Sequence, residues 1–131
     1  MTELEFNEFV EKHLYQGLTN LNDGFDSPCN YYFSKEDFTI LLQRLDRFGI
    51  RVHAIEPFPD KKFGGIADPW GYSHGPDLPP WHWRAFEDFQ AQGIDSYFCA
   101  YFHTWLLEGD NFAKIKEKLR LNENQFSTVN N

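Results

Sequence analysis

Phe6, Phe9, Val10, His13 and Leu14 recur at i, i+3, i+4, i+7 and i+8, the spacing of one helical face, with a histidine occupying one of the inward positions. Thr2 followed by Glu5 is a capping-box pattern, so a helix is expected over 2–16 with Glu5, Glu8, Glu11 and Lys12 facing outward. The stretch 17–30 holds the turn residues Asn22, Asp23, Gly24 and Pro28 and reads as a loop. A second helix is then expected over 35–48. Ser34 caps it, Phe33 and Phe38 have the spacing of a hydrophobic staple, Phe38, Leu41, Leu42, Leu45 and Phe48 form its apolar stripe, and Gly49 closes it.

The period then shortens. Ile50, Val52 and Ala54 alternate with polar residues, which predicts a strand over 50–56 that Pro57 would end; Asn30–Phe33 and part of 94–104 are its candidate partners. From Pro57 to Pro80 the chain carries six of its seven prolines, so regular structure is not expected there, and a loop of this length in a small domain is more often functional or locally packed than idle. A helix over about 81–92 follows, with Trp81, His82, Ala85, Phe86 and Phe89 on one face and Pro80 in its first turn. Residues 94–107 are ambiguous. Their aromatics favour a strand, whereas Asp95 as a cap, an Ile94–Cys99 staple and Gly109 favour a helix, which is the expectation over most of the segment. Asp110 is placed to cap a last helix reaching about Leu121, and 122–131 reads as a polar, frayed tail. The fold class expected is α+β, a small helix-dominated single domain over 1–121 with a minor β-sheet; the alternative is all-α.

A chain of 131 residues can bury a sizeable core unaided, and an aromatic content of 18% says that rings fill much of it. Twenty acids against twelve bases give a net charge of −8, which repels phosphate backbones and makes a basic protein a more natural partner than nucleic acid. The charge is uneven: acids dominate 1–34, while Lys114, Lys116, Lys118 and Arg120 make the last helix basic. Cys29 and Cys99 form no CxxC pair and lie among aromatics, where a thiol behaves as a small hydrophobe. The start of the chain has no signal-peptide pattern and no apolar run is long enough to span a bilayer, so a cytoplasmic protein without membrane contact is expected.

Groups able to do chemistry concentrate in 68–83. Asp68, His74, Asp77 and His82 could serve as acids, bases or ligands, and Trp70, Tyr72, Trp81 and Trp83 could serve as flat binding surfaces or as rings that pin the loop. Gly71–Gly75 formally matches G-x-S-x-G, but the flanking prolines deny it the strand and helix of a nucleophile elbow. The two His and two Asp match no metal-ligand spacing, and the carboxylates in 20–24 miss the positions of a calcium loop, so neither metal nor cofactor is expected. His13, His53 and His103 stand singly within predicted elements and read as structural.

Three functions of different classes fit these features. The leading one is an acidic protein-binding module, of inhibitor or immunity type, that meets a basic partner through Glu8, Glu11 and the loop aromatics. The others are a small enzyme or metal-binding protein using 68–83, and a carbohydrate or small-ligand binding domain using the tryptophans.

Overall fold

The computed structural model describes residues 2–60, 64–93 and 96–130. It is an α+β domain with elements in the order α1 (Glu3–Phe9), a π-helical turn (Val10–Leu14), α2 (Lys35–Phe48), β1 (Ala54–Pro59), a 3-10 turn (Pro69–Gly71), α3 (Trp81–Ala91), β2 (Ser96–Tyr101), α4 (His103–Leu107) and α5 (Asn111–Asn130). Among the described residues no helix is long and apolar enough to cross a membrane.

The helical expectations hold where capping and period agree. Thr2 and Glu5 form the reciprocal capping box of α1, and the helix then widens into the π turn; Arg44 Nη1 donates to the carbonyl of Leu14 at its end, at 2.9 Å, and to that of Gln16 just beyond it, at 2.7 Å. In α2, Ser34 Oγ accepts from the Asp37 amide and Gly49 adopts the left-handed conformation with φ 68°, which only glycine takes without strain. Its stripe Phe38, Leu41, Leu42, Leu45 and Phe48 is buried as the period demands.

Two strand expectations need correction. The strand expected over 50–56 is displaced to Ala54–Pro59, and Pro57 lies inside it. β1 pairs antiparallel with β2, with Glu56 opposite Cys99 and Pro57 opposite Phe98. Ile55 exchanges both backbone hydrogen bonds with Ala67 on the edge away from β2, and alternation turns Pro57 and Pro59 to that same edge, where a missing N–H removes no ladder bond to β2. The second correction concerns 94–107, where β2 and the short α4 replace the expected helix. Phe98 bonds Phe33 on its other edge, so β2 is paired on both sides, and this tertiary pairing overrides the helical signals. The proposed cap and staple involving Asp95 and Ile94 fall outside the described residues. Both candidate strand partners are used, but Asn30–Phe33 contributes its bridge to β2 and not to β1. α5 also continues past Leu121, through most of the segment expected as a tail.

The sheet separates two apolar clusters. Ile55, Phe98 and Ala100 face the main core with the α2 stripe, Trp81, Ala85 and Phe86; ring contacts of 5.4 Å from Phe98 to Phe38 and 5.0 Å to Phe86 tie the sheet to α2 and α3. Phe58 and Cys99 face the other way and are covered by Phe25 and Tyr32 of the 17–33 segment. Asn22 holds that cover in shape, since its side-chain amide donates to the carbonyls of Asp26, Ser27 and Asn30 and its Oδ1 accepts from the Gly24 and Asp26 amides.

Candidate functional site

The segment 68–84 contains little regular structure, yet almost every turn of it is tied down. Asp68 accepts from the Trp70 amide at 3.0 Å and so caps the 3-10 turn, while His74 Nε2 donates to the Pro69 carbonyl at 2.9 Å and closes the loop on itself. Arg84 reaches back from α3 to the carbonyls of Pro79 and Ser73 and lays its guanidinium 5.5 Å from the centre of the Tyr72 ring. The Tyr72 hydroxyl donates to Asp88 at 2.8 Å; burial, reinforced by that bond, pushes its pKa up to about 12, so it stays a donor at all ordinary pH.

The loop is joined to the core through Asp46, at the end of α2. One carboxylate oxygen accepts from His82 Nε2 at 2.9 Å and the other from Trp83 Nε1 at 2.6 Å. His82 is only 7% exposed. Burial holds its pKa below the usual histidine range even though Asp46 pulls the other way, so the imidazole is a neutral donor that orients α3.

The segment forms one side of an open cleft of about 950 Å³, and the extended stretch Arg51–Ala54 forms the other. Of the sequence candidates, Asp68, Trp70, Tyr72, His74, Trp81 and His82 line this cleft, whereas Asp77 and Trp83 do not. Glu8 and Glu11 are exposed on the first helical segment away from the cleft lining, and Glu11 accepts from the Tyr31 hydroxyl at 3.0 Å. The four candidate acids and bases share no centre: among the described residues no three His, Cys, Asp or Glu side chains come together in a way that could hold a metal ion. Ser73 is exposed in a loop that has no preceding strand, and the Nε2 of its neighbour His74 is engaged by Pro69, so no hydrolase dyad is assembled.

The aromatic residues divide into two roles. Trp81 is buried and packs 6.0 Å from Tyr72, and Trp83 is partly buried and hydrogen-bonded, so these three rings pin the loop. Trp70 is displayed: it is 94% exposed, on a turn whose backbone is fixed on both sides, and Ile66, 57% exposed, also lines the cleft. No family model, curated protein or solved structure matches the chain.

Sequence reasoning passed over Arg51, His53 and Ile66 as cleft residues. A signal was present for Arg51, since buried Ile50 and Val52 flank it and so turn it outward. It also passed over a buried polar pair behind the sheet, in which the Tyr101 hydroxyl donates to Glu56, 7% exposed; nothing local in the sequence joins two residues whose strands meet only in the fold.

Proposed function

We propose that this protein is an acidic protein-binding module, with Trp70 at the mouth of the cleft as the anchor of its interface. The carrying observation is a fully displayed tryptophan on a pre-organised turn. Exposing so much apolar surface is unfavourable for a free monomer, and tryptophan on a rigid support gives up little entropy when a partner covers it. Ile66 extends the apolar patch, and Arg51, Asp68 and His74 supply a polar surround of the kind that rims a hot spot.

The net charge of −8 favours a basic partner, chiefly by speeding encounter, and an inhibitor or immunity-type role masking such a partner is the finer form of this reading. Glu8 and Glu11 would contribute to that field and not to the anchor. We infer a reducing, cytoplasmic setting from two free thiols, one of them exposed. Nucleic acid is disfavoured by the same charge.

A second reading has its own support. The cleft lies in the size range of small-ligand sites and offers Trp70, Tyr72 and Trp81 as ring surfaces, which suits a sugar or other flat ligand. The experiment that separates the two is affinity capture from the native host with wild type and Trp70→Ala in parallel, followed by titration of any recovered protein against both. Direct binding of a basic protein that Trp70→Ala weakens supports the module. Wild-type capture by Trp70→Ala, together with saturable quenching of tryptophan fluorescence by an oligosaccharide, favours the ligand reading.

A further inference from the structure

A second, smaller pocket of about 160 Å³ lies behind the cleft, with His53 in the lining of both. Tyr15, Tyr31, Tyr101, His103 and Thr104 contribute to its walls. Tyr15 and Tyr31 are stacked with ring centres 4.7 Å apart, giving one flat wall. One buried polar atom here has nothing to bond among the described residues. His53 Nε2 is withdrawn from solvent with no hydrogen-bond partner among the described residues, a state that costs a nitrogen most of its hydration energy. The Tyr15 hydroxyl also makes no hydrogen bond with a described residue, although desolvation raises its pKa strongly and keeps it a donor. The other two tyrosines are already spent, Tyr31 on Glu11 and Tyr101 on Glu56.

We propose that this pocket is a binding site for a small, neutral, planar molecule bearing a hydrogen-bonding group, such as a phenol or a primary aromatic amide, which lies against the Tyr15–Tyr31 wall and bonds Tyr15 and His53. The volume corresponds to roughly five waters at about 30 Å³ each, which is room for a single ring with one substituent. Charge is selected against from both directions. An anion would lose its hydration without meeting a lysine or arginine in the lining. A cation would lose its hydration without meeting a carboxylate in the lining. This site does not depend on the reading of Trp70, which lies in the cleft lining only.

The test is a titration of the whole protein with phenol and with benzamide, followed by amide NMR, with benzoate and benzylammonium as charged counterparts. The neutral probes should give saturable shifts at Tyr15, His53 and 100–104, and the charged ones should bind at least about tenfold more weakly. Tyr15→Phe keeps the stacked ring and should weaken binding about threefold or more by removing one hydrogen bond; His53→Gln provides an independent variant should the first disturb the fold. The proposal is overturned if the shifts do not saturate or fall only around Trp70. It is equally overturned if the charged probes bind as well as the neutral ones, or if both variants bind as wild type does.

Discussion

Asp46→Ala tests how the loop is attached to the core. The substitution removes the acceptor of two side-chain donors, His82 Nε2 at 2.9 Å and Trp83 Nε1 at 2.6 Å. His82 is buried and is left with an unsatisfied N–H, worth about 1–3 kcal/mol, while Trp83 is partly open to water and recovers most of its loss by hydration. Hydrogen bonds to a carboxylate are stronger than average, at about 1.5–3 kcal/mol, but the Asp46 side chain is 39% exposed, so the lower part of the range applies. The expected loss is about 1.5–2 kcal/mol, and Asp46→Asn, which keeps one acceptor, should lose less. Urea denaturation at pH 7 measures it. The pH dependence has a definite sign: the folded-state pKa of His82 is lowered, so the unfolded chain takes up a proton that the folded one resists. Stability contributed by the neutral form is therefore present above about pH 6.5 and falls as the pH drops through that value. His82→Gln should flatten this part of the profile. A loss below about 0.5 kcal/mol in Asp46→Ala would refute the view that this contact fixes α3 and the loop.

Other expectations follow from the same structure. Leu42→Ala removes a fully buried side chain from the α2 stripe and should cost about 2–5 kcal/mol in the same denaturation assay. Asp26 accepts from Tyr32 and Asn30, and the tyrosine bond first among its contacts holds its pKa below the usual carboxylate range; its contribution is present above about pH 4 and is lost as the pH falls through the folded value, so Asp26→Asn should shallow the acid limb of the stability curve. Tyr101→Phe leaves buried Glu56 without its hydroxyl and should cost about 1–3 kcal/mol, which Glu56→Gln in the Tyr101→Phe background should partly restore.

Whether a segment could be read in advance depended on how local its determinants are. α2 was legible because cap, staple, stripe and terminal glycine all lie within the segment and agree. β1 was misplaced because the tolerance of Pro57 depends on which strand edge it faces, and that is settled by Ala67 and β2 rather than by its neighbours. β2 was ambiguous because its aromatics and its capping signals point to different structures, and the partners that decide for a strand, Phe33 and β1, lie far away in the chain. At the candidate site, the sequence located the loop but not the division of labour among its rings. Trp70, Tyr72, Trp81 and Trp83 are chemically alike on paper, and only packing separates three that pin the loop from one that is displayed. Asp46, the acceptor for two loop residues, sat unremarked on the polar side of a helix.

The most direct test of the account is the effect of Trp70→Ala on binding measured alongside its effect on stability. Because the ring touches solvent almost everywhere, the substitution should leave the melting temperature essentially unchanged, in contrast to Trp81→Ala, which empties a core position. Surface plasmon resonance against the captured basic partner should show the affinity of Trp70→Ala falling by about 2 kcal/mol or more, roughly thirtyfold, mostly through faster dissociation. Glu8→Lys with Glu11→Lys should instead slow association and reduce its salt dependence. Unaltered affinity and unaltered dissociation in a correctly folded Trp70→Ala protein would contradict the assignment of this cleft as the interface.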